Sequence, residues 1–224
     1  MRPARAGLLL TCLLAFAAPA SRGQTAAPAA PARDDIVNTL SKFDTGPELD
    51  IPALKQAISD RSKVRSKREP EPNKRPPVVP DIMKLPATFN VAISFDVDTP
   101  IILPESYETV GRIADAMVNA PLLPYTFLIV GHTESNGNRP ANVILSQRRA
   151  DAIRDVLSNT FKISSKRLQS LGVGEEQFID QAHPTSAVNQ QIQIITIAKL
   201  PEQTEQPAAA APAAVAKKGA KKKK

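Results

Sequence analysis

Cysteine is almost absent: 224 residues contain one, Cys12. It sits inside the apolar stretch from Ala6 to Ala18, behind Arg2 and Arg5 and ahead of a group of small residues, which is the three-part layout of a secretory signal. That stretch is too short for a membrane span. A lipid-bearing cysteine would close the apolar stretch, whereas Cys12 is followed by Leu13-Leu14-Ala15-Phe16 and is expected to leave with the signal, residues 1–23. Cleavage after Ala20 or after Gly23 fits equally. The mature chain then has no thiol, which excludes a disulfide framework, a thiol nucleophile and a cysteine metal site. Such a chain must be stabilised by its apolar core. Tryptophan is also missing and aromatics make up only 4% of the residues, so exposed strands offer little on which nucleobases can stack. The two histidines, His132 and His183, are accompanied by no serine, cysteine or metal-ligand set, which argues against a hydrolase.

Proline and charge are plentiful but unevenly placed. Most of the 21 prolines precede Ala87 or follow Leu200, so ordered structure is expected between those points. The net charge of +7 invites a nucleic-acid reading until it is divided along the chain. Arg2, Arg5 and Arg22 belong to the signal, and six lysines face only Glu202 and Glu205 after residue 200. Residues 88–200 carry nine Lys and Arg against eleven Asp and Glu, so the folded part is slightly acidic and no nucleic-acid partner is expected. Residues 24–87 read as a Pro-rich, partly basic linker with short helical pieces at Asp34–Leu40 and Ile51–Ile58. Residues 201–224 read as a disordered Ala/Pro/Lys tail. Its Lys217–Lys224 run is a candidate contact for an anionic membrane surface or another polyanion.

Between these extensions the periodicity is clear. Phe89, Val91, Ile93 and Phe95 alternate with smaller or polar residues as in a half-buried strand. Pro104 suits a first helical turn, and Val110, Ile113, Ala114 and Met117 repeat at helical spacing. Tyr125–Val130 reads as a buried strand and Ala141 to about Phe161 as a helix burying Ala150, Ile153 and Leu157. Leu168–Leu171 and Gln191–Ala198 read as strands, the latter with Ile192, Ile194 and Thr196 on one face. The order is βαβαββ, an α/β class (an α+β sandwich) with one mixed sheet and helices on one face.

The most specific signal joins the second strand to the helix after it: Gly131-His132-Thr133-Glu134-Ser135-Asn136-Gly137, then Asn142-x-x-Leu145-Ser146-x-x-Arg149-Ala150. It places a carboxylate just past a strand end and a guanidinium early in the next helix, a pair suited to a zwitterionic ligand. Together with Phe95-Asp96-Val97-Asp98-Thr99, Arg167-Leu168 and Gly172-Val173-Gly174-Glu175, this segment resembles the OmpA-like C-terminal domain, the peptidoglycan-binding module also found in Pal and MotB proteins. The resemblance covers residues 88–200.

It implies a non-catalytic, cofactor-free envelope protein, exported to the periplasm or associated with the outer membrane, that binds peptidoglycan through the diaminopimelate of its stem peptide. In that reading Glu134 receives the ligand ammonium, Arg149 grips its carboxylate, Asn142 and Thr133 position it, and Asp96 belongs to the cleft. Asp98 is assigned instead to a turn. Two departures from the family pattern stand out: Glu134 where aspartate is usual, and Gln190-Gln191 where two arginines are usual. An envelope protein with a degenerate cleft, acting through its basic tail, is the alternative.

Overall fold

The computed structural model describes residues 30–64, 85 and 87–200. The expected signal at 1–23, most of the basic run after Arg61 and the tail at 201–224 lie outside the described residues. Two helices come first, α1 (Arg33–Leu40) and α2 (Ile51–Lys63). They are followed by β1 (Thr88–Val91), α3 (Tyr107–Met117), β2 (Tyr125–His132), α4 (Arg139–Asn159), β3 (Leu168–Gly174) and β4 (Ile192–Lys199). From β1 onward this is βαβαββ, an α/β fold with one mixed sheet in the order β1-β4-β2-β3. Only β2 and β3 are parallel, and α4 makes the crossover between them.

Local chemistry accounts for the element ends. Asp50 caps α2 by accepting from the Ala53 amide at 3.0 Å, with Pro52 in the first turn where a missing N–H costs nothing. β1 stops at Val91, short of the alternating pattern that runs on to Phe95. There the Ser94 amide donates to Ser106 Oγ at 2.8 Å and Phe95 bridges Ile102, so the chain leaves β4. β3 runs on to Gly174, past the expected Leu171, because its parallel ladder with β2 continues through Gly131 and Gly172.

The sheet is covered on both faces. On one, Phe127, Ile129, Ile192 and Ile194 pack against Ile36 and Leu40 of α1, Val110 and Ile113 of α3, and Ile153 and Leu157 of α4. On the other, Leu128, Val130, Leu171, Val173, Ile195 and Ile197 meet Ile51 and Ile58 of α2 together with Leu85 and Val143. The domain's own helices α3 and α4 thus share one face, and the preceding segment supplies cover for the second. That explains why Ile195 and Ile197 are as buried as the face expected from alternation, and why β2 is apolar without interruption.

The segment before residue 88 was expected to act as a linker, yet its two helices belong to the folded body. Thr196 Oγ1 donates to the Leu40 carbonyl at 2.8 Å, tying α1 to β4. Fully burying Ile36, Leu40 and Ile58 contributes roughly 1.5–3 kcal/mol each, enough to hold helices that would be marginal alone. At the other end of α2, Arg139 donates to the carbonyls of Arg61 and Val64 and forms a paired contact with Glu176. Two glycines let α4 descend onto the sheet: a Cβ on Gly131 would lie 2.3 Å from the Ser146 carbonyl oxygen, and one on Gly172 2.2 Å from the Gln147 amide nitrogen. This close approach sets the depth at which α4 carries its next inward residue, Arg149.

Candidate functional site

The loop after β2 is held in place largely by buried polar groups. Thr133 N donates to the Gly174 carbonyl at 3.1 Å, Ser135 N to the Pro184 carbonyl at 2.9 Å, and Asn136 N to Glu175 Oε2 at 3.2 Å. Asn142 Nδ2 reaches Glu175 Oε2 at 2.7 Å, Asn136 Oδ1 at 2.8 Å and the Glu134 carbonyl at 3.4 Å, so Asn142 ties the loop to α4. Gly137 closes the turn at φ +80°, a backbone conformation that costs glycine little. The loop at 175–190 is organised by the fully buried Asn189. Its Oδ1 accepts from Ile179 N and Asp180 N, and its Nδ2 donates to the carbonyls of Asp180 and His183.

Between this loop, the turn after Phe95 and α4 lies a cleft of about 180 Å³. Thr133, Glu134, Asn142 and Arg149 all line it, as does Asp98. Arg149 is only 6% exposed. Its guanidinium carbon lies 4.9 Å from the centre of the Phe95 ring, and its Nε donates to the Thr99 carbonyl at 3.0 Å. These contacts orient the planar group but leave its two terminal nitrogens without a partner among the described residues, and no described carboxylate lies within ion-pair distance of it. Burial lowers the Arg149 pKa, while the charges of Asp98 and then Glu134 raise it back. The guanidinium remains charged at neutral pH. Thr133 Oγ1, also buried, has no hydrogen-bond partner among the described residues. A buried hydroxyl left unsatisfied carries a free-energy cost, and a ligand atom in the cleft would remove it.

Asp96 requires a correction. Its side chain is exposed, accepts from the Val97 amide at 2.9 Å and does not line the cleft. Asp98, assigned to a turn from sequence, both makes the turn and faces the cleft. Its φ of +54° places it in the left-handed region that aspartate tolerates better than most residues. Two acidic residues flanking Val97 could not be told apart by spacing, because the reversal in backbone direction at Asp98 decides which one turns inward.

His132 lies on the other face of the sheet. Nδ1 donates to the Gln177 carbonyl at 2.9 Å, and burial lowers the imidazole pKa, favouring the neutral ring. His183 pairs with Asp180 at 2.9 Å on an exposed loop. Among the described residues, no three His, Cys, Asp or Glu side chains converge on a metal-sized site, and no helix is long and apolar enough to cross a membrane.

The fold and cleft define an α/β domain with a cleft in which one guanidinium and two carboxylates face the same space. Residues 94–191 match the model of the OmpA family, and this part of the chain is an OmpA family domain. Outer membrane porin F of Pseudomonas aeruginosa is 33% identical over 101 residues, 45% of this chain and 27% of the porin. The peptidoglycan-associated lipoprotein of Brucella melitensis is 29% identical over 112 residues, 49% of this chain and 65% of the lipoprotein. The chain thus spans about a quarter of the length of the porin and just under two thirds of the lipoprotein. A solved outer membrane protein of Borrelia burgdorferi aligns at 24% identity and a TM-score of 0.39, over 50% of this chain and 87% of that one.

Proposed function

We propose that this chain is a non-catalytic protein of the cell envelope that binds peptidoglycan non-covalently, gripping the free end of diaminopimelate in the stem peptide. That end carries an ammonium and a carboxylate on one carbon. The observation carrying the proposal is the open state of the charges: Arg149 is buried and oriented, with its terminal nitrogens unengaged and Asp98 and Glu134 facing the same space. A structural salt bridge would have closed that distance. The guanidinium fork matches a carboxylate, the acidic side matches an ammonium, and each charge-assisted bond contributes on the order of 1.5–3 kcal/mol. The name of the lipoprotein relative, peptidoglycan-associated, supports the same ligand class.

Asn142 acts here by holding the loop, while Thr133 offers its free hydroxyl to the ligand. The test is co-sedimentation of the full chain with diaminopimelate-type sacculi, with added free diaminopimelate as competitor. Retention that the free amino acid displaces is the expected result. Absence of retention at low salt, or retention indifferent to the competitor, overturns the reading.

A further inference from the structure

The cleft does not end at Arg149. A second hollow, about 430 Å³, runs along Ile93, Ser94 and Phe95 on one side and Val188, Gln190 and Gln191 on the other. Phe95 and Gln190 line both hollows, so the two adjoin at these side chains. Their electrostatics differ. The cleft holds Asp98, Glu134 and Arg149, one negative charge in excess, and no charged residue lines the extension. The side-chain amides of Gln190 and Gln191 make no hydrogen bond to described residues, leaving donors and acceptors free along the groove.

A ligand whose charged end sits at Arg149, beside two carboxylates, and whose remainder passes Phe95 and Gln190 enters a groove without a cation. A free carboxylate there would lose part of its hydration, find no counter-charge and feel the excess negative charge of the cleft. A carboxamide or hydroxyl at the same place would exchange its water for the glutamine amides with little loss. Because the groove is partly open to solvent, the discrimination is moderate and sensitive to ionic strength.

We propose that Gln190 and Gln191 make this a receptor for stem peptides whose carboxyl groups, other than the one received by Arg149, are amidated. This rests on the peptidoglycan reading above and adds to it the chemical form of the stem. The groove then selects between peptidoglycans rather than merely attaching to them.

The test uses the full chain and two soluble synthetic muropeptides identical except that, beyond the diaminopimelate end, one carries carboxamides and the other free carboxylates. Calorimetric titration at low salt is expected to show the amidated form binding about five-fold more tightly, with the gap narrowing in high salt as screening increases. The double variant Gln190→Arg, Gln191→Arg is expected to reverse the preference by raising affinity for the free acid. Both residues are partly exposed, so the fold tolerates the change. Equal binding of the two muropeptides by the unmodified chain, or tighter binding of the free acid, overturns the inference while leaving the peptidoglycan reading intact. Failure of both to bind, or binding that survives Arg149→Ala unchanged, overturns the peptidoglycan reading itself.

Discussion

Helix α4 carries two buried arginines ten residues apart, and they have opposite fates. Arg139, 8% exposed, is closed: Nε and Nη2 meet Glu176 at 2.5 and 2.7 Å, and the guanidinium also binds the carbonyls of Arg61 and Val64. Glu176 is further shared with Arg61 at 3.1 Å. Arg149, 6% exposed, is open, with one nitrogen on a carbonyl and its carboxylate neighbours held off. The first arrangement joins α2 to α4 and to the loop after β3. The second leaves a prepared charge in a cleft. Burial alone therefore does not distinguish the two arginines; what does is whether a described carboxylate is paired with the guanidinium.

Arg167 is a third case. It is buried against three carbonyls, those of Tyr125, Met117 and Leu122, with its guanidinium carbon 5.4 Å from the Phe127 ring centre. Its Nε and Nη2 donors go to the start of β2, the last turn of α3 and the 3-10 turn between them, which fastens those segments together.

The contrast is broken most forcefully at Glu176. Glu176→Ala leaves the guanidinium of Arg139 buried without its carboxylate and is expected to cost about 3–5 kcal/mol of stability in urea denaturation. Affinity for diaminopimelate-type muropeptide should fall much less wherever the variant is folded. The mirror experiment is Arg149→Ala. Removing one partner of a desolvated charge pair costs about 2–5 kcal/mol of binding, a loss of roughly thirty-fold or more, whereas the stability loss should stay below that of Glu176→Ala. If the two variants lose stability equally and neither loses affinity, Arg149 is as structural as Arg139. Arg149→Lys keeps the charge without the fork and should bind between the two.

A smaller effect is expected at Glu134. Shortening it in Glu134→Asp should hold or improve muropeptide affinity, and neutralising it in Glu134→Gln should weaken binding by about 1.5–3 kcal/mol because the ligand ammonium loses an acceptor charge. A lowered melting temperature with unchanged affinity would instead assign the carboxylate to the fold.

The smallest effect concerns pH and His132. Its folded pKa lies below the ordinary 6.5, so the unfolded chain takes up this proton first as pH falls. The contribution to stability is complete above that value and declines below it, by at most about 1.4 kcal/mol per pH unit for one proton. In His132→Asn, whose amide nitrogen can replace the donation to Gln177, stability measured from pH 7 to pH 5 should fall less steeply than in the unmodified chain.

The elements from β1 to β4 and the identities of Glu134 and Arg149 were legible because they rest on local rules. Period-two alternation, helical spacing, Pro104 and the glycine-bearing turn each act within a few residues. Three things were not legible. α1 and α2 read as pieces of a linker because neither has an apolar face large enough alone; their place depends on a sheet formed more than twenty residues later. The sharing of Glu176 between Arg61 and Arg139 joins residues far apart in sequence and leaves no periodic trace. Asp98 rather than Asp96 faces the cleft because the chain turns at its left-handed backbone, which spacing alone does not reveal.

By itself, then, the amino-acid sequence determined which segments are strands and helices, which strand is buried on both faces, and that a carboxylate and a guanidinium stand on either side of one turn. The tertiary structure decided which charges are neutralised and which are left open. That outcome depends on distances across the fold: Gly131 and Gly172 let α4 approach the sheet, Thr99 and Phe95 orient Arg149, and Glu176 is spent on Arg139 while no described carboxylate reaches Arg149. Coulomb energies depend on separation and burial, and neither is written in the order of the residues.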